Sequence, residues 1–180
     1  MRVIAGELKG QQFQAPHGHK THPMSDKMRG ALFNILGDIE GLTFLDAFAG
    51  SGGLSFEAVS RGAASVVALE KEGAAQTTID RNIKDLHLHK AVHLSRANAA
   101  GWSIHNMESE YDILLLDPPY DDLQLNLLQR LINRHIKPGG LAVLSYPGKE
   151  NAPEFEGVKI VEDKNYGDGQ LIFYRKTGKT

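Results

Sequence analysis

The stretch YDILLLDPPY, residues 111–120, constrains this chain more than any other part of its sequence. Residues 113–116 form an uninterrupted apolar run, which is typical of a central strand in a parallel sheet covered on both faces. Asp117 follows this run directly, at the end of the strand where open α/β sheets bind their ligands. Pro118 and Pro119 have fixed φ angles and no N–H group, so we expect a stiff loop whose carbonyl groups have no ladder partner. A carboxylate, a free carbonyl and an aromatic ring held together can bind a planar base through its exocyclic amine.

Strand and helix patterns alternate along the chain from Leu42 onward. The predicted strands are residues 42–47, 65–70, 91–95, 113–116, 141–145, 158–162 and 170–175. The predicted helices are residues 53–61, 73–86, 99–105 and 123–136, the last of them ended by Pro138, Gly139 and Gly140. This alternation predicts a doubly wound, mainly parallel α/β sheet of seven strands with right-handed crossovers. The last two strands have no long helix between them, so we expect an antiparallel pair at one edge of the sheet.

The first 40 residues have a different pattern. Residues 1–16 contain short apolar pieces separated by Gly6 and Gly10, which suits a small β-hairpin outside the main sheet. Ser25 or Asp26 can cap a helix that ends near Gly37. The apolar face of that helix consists of Met28, Leu32, Phe33, Ile35 and Leu36. The sequence therefore predicts an N-terminal hairpin and helix extension, residues 1–40, followed by a ligand-binding α/β domain, residues 41–180.

Charge is distributed unevenly along the chain. The formal net charge is −2, so no global positive field would attract a polyanion. Residues 1–30 nevertheless carry more basic than acidic side chains, which makes this segment the predicted polyanion contact. The candidate contacts are Arg2, Lys9, Lys20, His22, Lys27 and Arg29.

The composition argues against several other classes of protein. The chain has no cysteine, which excludes a disulfide framework and a thiolate zinc site. His17, His19 and His22 share a polar loop without a clear fourth ligand, so no metal site is predicted. No apolar run resembles a signal peptide or reaches membrane-spanning length, and we expect a soluble cytoplasmic protein.

A glycine-rich turn follows the first predicted strand, within residues 44–54. Glycines let the backbone approach a ligand closely, and the helix that follows offers free N–H groups at its start. Glu70 ends the second strand, twenty residues past Gly50, where it can accept hydrogen bonds from both hydroxyls of a ribose. The same pattern also fits a tight strand-to-helix turn with a capping acid. A dinucleotide fingerprint would place a third glycine where Ser55 stands.

The glycine turn, Glu70 and residues 117–120 together resemble the class I S-adenosylmethionine-dependent methyltransferases that modify an amino nitrogen. More narrowly, the chain resembles the RsmD-like family, which methylates the N2 amine of a guanine in small-subunit (16S) ribosomal RNA. The resemblance covers nearly the full length, through residues 2–6, 9–10, 23–34, 45–53, 60–63, 117–120 and 166–169. It implies a Rossmann-like methyltransferase sheet, S-adenosyl-L-methionine as cofactor, and a monomer that acts on ribosomal RNA, bare or within an assembling small subunit.

The resemblance also implies roles for particular residues. The Asp117 carboxylate and the Pro118 carbonyl would accept the two N–H bonds of the base amine, and Tyr120 would stack on the extruded base. Asn98 stands where the family commonly has an acid that contacts the adenine amine. The implied catalytic residues are Asp117, Pro118, Pro119 and Tyr120. The implied cofactor-binding residues are Asp46, Phe48, Ala49, Gly50, Ser51, Gly52, Glu70, Lys71, Asn98, Ala99 and Asp117.

Three other interpretations of the sequence stay open. An amino methyltransferase acting on adenine or cytosine of DNA, or on another RNA, would share the chemistry, although no separate target-recognition domain is visible. An NAD-dependent dehydrogenase would use the glycine turn and Glu70 but has no need of residues 117–120. A non-enzymatic RNA-binding module would need the basic N-terminal segment but not the ligand pocket.

Overall fold

The computed structural model describes residues 1–18 and 23–178, and its centre is a seven-stranded sheet. In chain order the elements are α1 (Asp26–Leu36), β1 (Thr43–Asp46), α2 (Gly53–Ser60), β2 (Ser65–Leu69), α3 (Gly73–Asp85), β3 (Val92–Ser95), α4 (Ala99–His105), β4 (Tyr111–Leu116), α5 (Leu125–His135), β5 (Ile136–Pro147), β6 (Val158–Asn165) and β7 (Gly169–Lys176). The strand order is β3-β2-β1-β4-β5-β7-β6. The first five strands pair in parallel, and β7 pairs antiparallel with both β5 and β6. The predicted doubly wound, mainly parallel sheet with an antiparallel edge pair is confirmed.

Strand β4 is buried on both faces, as its apolar run predicts. Alternate residues of a strand point to opposite faces of the sheet. Leu114 and Leu116 join a core cluster with α4 and α5, whereas Ile113 and Leu115 join a second cluster with α1 and α2. All four side chains are at most 3% exposed. Because both faces are covered, the strand does not alternate between apolar and polar residues. Asp117 follows its last residue, at the carboxyl end of the strand.

The N-terminal segment forms the predicted hairpin and helix. The hairpin is closed by antiparallel contacts, in which the Val3 N–H donates to the Gln11 carbonyl (2.9 Å) and the Gly10 N–H donates to the Val3 carbonyl (2.8 Å). Helix α1 begins after Ser25, whose hydroxyl accepts the Met28 N–H at 3.2 Å. Both parts pack on the sheet domain, since the hairpin shares a core cluster with α2 and α3 and the apolar face of α1 shares one with α2. The division of the chain at residue 40 stays a prediction.

Strand β5 differs from its predicted extent. The sequence predicts a helix through residue 136 and a break at Pro138, Gly139 and Gly140, but the strand already begins at Ile136. Tyr111 pairs with Ile136 and Ile113 pairs with Leu141, so the extra residues bulge out of the ladder. At Gly140 a Cβ atom would lie 2.7 Å from the Asp112 carbonyl oxygen. Pairing with β4, which is remote in sequence, therefore extends a strand through residues that locally favour a turn.

Candidate active site

Three acidic side chains lie at the carboxyl ends of neighbouring parallel strands. Asp46 is the last residue of β1, while Glu70 and Asp117 directly follow β2 and β4. Strand β1 lies between the other two, and the chain winds outward from it first through β2 and β3, then on the opposite side through β4. Such a reversal is a topological switch point, where open α/β sheets bind ligands. The fold thus brings together three acids that are remote from one another in the sequence.

The glycine turn between β1 and α2 has a backbone that requires glycine. Gly50 and Gly52 have φ angles of 55° and 82°, in the left-handed region that side chains disfavour. A Cβ atom at Gly52 would also lie 2.7 Å from the Phe56 ring. The turn is closed by the Gly52 N–H, which donates to the Ala49 carbonyl at 2.8 Å. It places Ala49, Gly50, Ser51 and Gly52 together beside the end of β2, as the cofactor prediction requires.

Glu70 holds this turn through its carboxylate. The Gly50 N–H donates to Oε2 at 2.9 Å, and the N–H groups of Lys71 and Glu72 donate to Oε1 at 3.1 Å each. A carboxylate oxygen can accept two hydrogen bonds, so Oε2 can accept one more, from a ribose hydroxyl. Glu70 is 8% exposed and faces the turn. The capping role therefore leaves room for one ribose hydroxyl and not for the predicted two, because three of the four lone pairs of the carboxylate accept backbone N–H groups.

Asp46 is a buried carboxylate with an unmatched oxygen. Its side chain is fully buried, and Oδ2 accepts the Ser55 hydroxyl at 2.7 Å. Oδ1 has no hydrogen-bond partner among the described residues. Burial raises the pKa of Asp46 to about 7; the Ser55 hydrogen bond opposes this rise, and the nearby charges of Asp117 and Glu70 add to it. A buried acid in this state favours a cationic or hydrogen-bond-donating ligand.

The Asp117 loop contains an acid with a raised pKa next to the carbonyl group of Pro118. Burial by the surrounding protein raises the pKa of Asp117 to about 6, and the Ser145 hydroxyl partly offsets that effect. The Pro118 carbonyl accepts no hydrogen bond within the part of the chain that the structure describes, whereas the Pro119 carbonyl accepts the Asp122 N–H at 3.1 Å. The Tyr120 ring is 41% exposed, and its hydroxyl lies 2.7 Å from the Ser145 hydroxyl.

Ser145 was not among the predicted site residues. It lies on β5, where Leu144 pairs with Leu116, so Ser145 is next to Asp117 in the sheet. Its side chain is 3% exposed. The sequence signal that could have identified it is a serine at the end of the predicted strand 141–145, which follows in the chain the predicted strand that ends before Asp117.

Charge at the three strand ends is not balanced by the protein. Among the residues that the structure describes, neither Asp46, Glu70 nor Asp117 forms an ion pair with a basic side chain. S-adenosylmethionine carries a sulfonium and an ammonium group, so its charge complements this cluster. The residues present therefore fit that cofactor: Glu70 would hold its ribose, and Asp46 and Asp117 would face its cationic groups.

The remaining predicted cofactor residues follow the ends of β1, β2 and β3. Asn98 caps α4, since its side-chain oxygen accepts the Gly101 N–H at 2.7 Å, which leaves that oxygen one further lone pair. Ala99 is buried in the same core cluster that Phe48 contacts. Lys71 is exposed at the end of β2.

Arg29 is a buried structural residue, and its prediction as an RNA contact is wrong. Its side chain is 1% exposed. Nη2 donates to the Arg2 carbonyl (2.6 Å) and to the Asp26 carboxylate (3.1 Å), and Nε lies 3.5 Å from the Glu57 carboxylate. Glu57 on α2 is fully buried and needs a positive partner, which the inward face of α1 supplies.

Other predicted RNA contacts lie at the surface. Lys9 and Lys27 are exposed, and Arg2 is exposed with its Nε 3.4 Å from the Asp26 carboxylate. Lys20 and His22 lie outside the described residues. Within residues 1–18 and 23–178, no group of three His, Asp or Glu side chains could hold a metal ion. None of the helices described there has the length and apolar character needed to cross a membrane.

The chain matches one protein family over almost its whole length. The sequence model of the family described as "Conserved hypothetical protein 95" matches residues 1–175. The candidate rRNA methyltransferase YlbH of Bacillus subtilis is 34% identical over 184 residues, which cover 99% of this chain and 100% of that protein. The ribosomal RNA small subunit methyltransferase D of Escherichia coli strain K12 is 32% identical over 143 residues, which cover 79% of this chain and 70% of that protein. The solved structure of the candidate methyltransferase yhhF from Escherichia coli superposes with a TM-score of 0.88 at 25% identity and covers 99% of both chains.

Proposed function

Because this chain belongs to the Conserved hypothetical protein 95 family, we propose that it transfers the methyl group of S-adenosylmethionine to the exocyclic N2 amine of a guanine in small-subunit ribosomal RNA. The names of its relatives support ribosomal RNA as the substrate. The observation that carries the proposal is the unpaired acid Asp117, which lies beside the free Pro118 carbonyl at the switch point of the sheet. A monomer acting on an assembling subunit stays a prediction.

Asp117 and Pro118 can make a base amine a better nucleophile. The lone pair of such an amine is delocalised into the ring, which makes the nitrogen a poor nucleophile. If the Asp117 carboxylate and the Pro118 carbonyl accept its two N–H bonds, the nitrogen becomes pyramidal and its lone pair points away from the ring. Bound S-adenosylmethionine supplies an electrophilic methyl carbon on a sulfonium, a good leaving group. During transfer of the methyl group from this sulfonium to the nitrogen, Asp117 would accept the proton that leaves the amine, a role that its pKa of about 6 suits near neutral pH.

Tyr120 stabilises the base outside its helix. Its ring is partly exposed beside Asp117, where it can stack on an extruded base. Stacking of this kind contributes about 1–3 kcal/mol per base, which offsets part of the cost of a few kcal/mol for unstacking. Correct placement of the two reactants supplies more, since well-oriented groups gain roughly 7–11 kcal/mol from proximity.

Affinity for S-adenosylmethionine should increase about tenfold between pH 6 and pH 8. The positive charge of the cofactor should bind the ionised form of a nearby acid more tightly than its protonated form, which is the same as lowering the pKa of that acid. Without ligand, the pKa values of Asp46 and Asp117 are about 7 and about 6, so at pH 6 Asp46 is mostly protonated and Asp117 is about half protonated, whereas both are ionised at pH 8. Calorimetric titrations at pH 6, 7 and 8 measure the effect. S-adenosylhomocysteine lacks the sulfonium charge and should show a weaker pH dependence. Equal affinities for S-adenosylmethionine at all three pH values would mean that its charge does not contact these acids.

Replacing Lys27 by alanine should weaken RNA binding and make it less dependent on salt. Removing one ion pair between a lysine and a phosphate reduces the slope of log K against log[salt] by about 0.7–0.9. Filter binding of a ribosomal RNA fragment at several salt concentrations measures this slope. Lys159→Ala is the matched control, because Lys159 is also exposed but lies on β6, at one edge of the sheet and outside the N-terminal segment. A slope that Lys27→Ala leaves unchanged would place the RNA surface elsewhere.

The proposed activity is tested by incubating the protein with labelled S-adenosylmethionine and ribosomal RNA, naked or in small subunits, and identifying the modified nucleoside. N2-methylguanosine is the expected product. A methylated adenine or cytosine would support methyl transfer to an amino nitrogen but would show that the substrate is a base other than guanine. Calorimetry with NADH gives the second readout, since tight binding of NADH without binding of S-adenosylhomocysteine would overturn the methyltransferase assignment.

A further inference from the structure

Ser145 adjoins two residues of the proposed reaction centre, because its hydroxyl contacts that of Tyr120 and it neighbours Asp117 in the sheet. We propose that Ser145 is a positioning residue, which fixes the Tyr120 ring and the Asp117 carboxylate relative to each other through one hydroxyl group. This inference rests on the proposed methyl transfer. It assigns a function to a buried polar residue of β5 that touches neither the base nor the cofactor in the proposed mechanism.

Ser145 is hydrogen-bonded to Tyr120 and is adjacent to Asp117 in the sheet. The Tyr120 and Ser145 hydroxyl oxygens are 2.7 Å apart, and no other hydrogen-bond partner of the Tyr120 hydroxyl is found among the described residues. The parallel register of Leu116 with Leu144 places Ser145 beside Asp117. An ionised carboxylate only accepts hydrogen bonds, so in the proposed arrangement the Ser145 hydroxyl donates toward Asp117 and accepts the proton of the Tyr120 hydroxyl. The influence of Ser145 on the pKa of Asp117, which it lowers, agrees with that direction.

Gly169 leaves the space that the Tyr120 hydroxyl occupies. It is the first residue of β7, and a Cβ atom there would lie 2.8 Å from the Tyr120 hydroxyl oxygen and 3.1 Å from the Met28 Cε atom. Its φ is not in the left-handed region, so the reason for a small residue is steric. Tyr120 is thus held by a hydrogen bond from β5 and by the limited space between β7 and α1.

Ser145→Ala should lower kcat about 30-fold with KM for S-adenosylmethionine changed less than threefold, since a displacement near 1 Å can cost about 100-fold in rate. The variant also loses a hydrogen bond that favours the ionised form of Asp117. The acid limb of the kcat–pH profile should therefore move to higher pH. Asp117 faces Asp46 from β1 and Tyr120 from its own loop, and both are retained in this variant. Ser145→Thr keeps the hydroxyl and should restore the position of the limb.

Two further variants separate positioning from folding. Tyr120→Phe removes the same hydrogen bond from its other end, so Ser145→Ala combined with Tyr120→Phe should lose no more activity than the more impaired single variant. Gly169→Ala should displace the Tyr120 hydroxyl and lower kcat similarly. Gly178→Ala is the matched control, because a Cβ atom at Gly178 meets nothing within 4 Å. Thermal unfolding and S-adenosylhomocysteine binding establish that each variant is folded.

The outcomes distinguish this inference from the proposed function. A wild-type protein that methylates no RNA would contradict the proposed function itself. An active wild type, with Ser145→Ala unchanged in kcat and in its acid limb, would overturn the positioning role of Ser145. Should Ser145→Ala fail to fold, Tyr120→Phe and Gly169→Ala decide the question, and wild-type kcat in both would overturn the inference.

Discussion

Asp117→Asn should lower kcat for methyl transfer about 1000-fold, near the middle of the roughly 100- to 10,000-fold range that a positioned acid or base contributes. The amide keeps the size of the side chain but presents an N–H₂ group and cannot accept a proton. Affinity for S-adenosylhomocysteine should change less than about fivefold, because in the proposed mechanism the main partner of Asp117 is the substrate amine, and Glu70 and the glycine turn would hold most of the cofactor. Single-turnover transfer and calorimetry measure the two quantities separately.

Asp85→Asn is the matched control for this variant. Asp85 is exposed at the end of α3, which begins beside Glu70 and runs away from the carboxyl ends of the strands. It should retain wild-type transfer and cofactor affinity. A loss of cofactor affinity by Asp117→Asn that accounts for its whole loss of activity would assign Asp117 to the cofactor pocket instead of the substrate amine.

Arg29→Ala should lower the free energy of unfolding by about 3–5 kcal/mol, the cost of removing one partner from a buried ion pair. The Glu57 carboxylate would keep its contacts with the Arg61 guanidinium at 2.9 Å and with the Ile4 and Ala5 N–H groups. It would lose the Arg29 guanidinium, which α1 supplies. The Arg2 carbonyl would lose its 2.6 Å donor. For a chain of this size the melting temperature should fall by roughly 10 °C. Urea and thermal unfolding, followed by circular dichroism, measure both quantities.

Lys27→Ala provides the contrast, since Lys27 is exposed on the same helix two residues earlier. Surface substitutions of this kind change stability by about 0.5 kcal/mol or less. The pair should thus separate two functions of α1, with Lys27 affecting RNA binding and Arg29 affecting stability. Unchanged unfolding of Arg29→Ala together with weakened RNA binding would return Arg29 to the RNA surface.

Features with a local signature were predicted at nearly their observed positions. The apolar run before Asp117 marked a strand buried on both faces, and the glycines at 50 and 52 marked a turn, in which the structure then shows a left-handed backbone. The cap at Ser25 marked the start of α1. Each of these depends on residues within one turn or one strand of each other. The start of β5 was predicted wrongly, because the pairing that extends the strand comes from Tyr111.

The sequence by itself determined the alternating β/α architecture, the acid with its two prolines after a buried strand, and the glycine turn after the first strand. Periodicity, proline and glycine specify these features locally, without reference to the rest of the chain. Only the tertiary structure decided that Arg29 is buried against Glu57, that Ser145 binds the Tyr120 hydroxyl, and that burial raises the pKa values of Asp46 and Asp117. These properties come from contacts between strands and helices that are remote in sequence, and such contacts leave no periodic pattern in either partner.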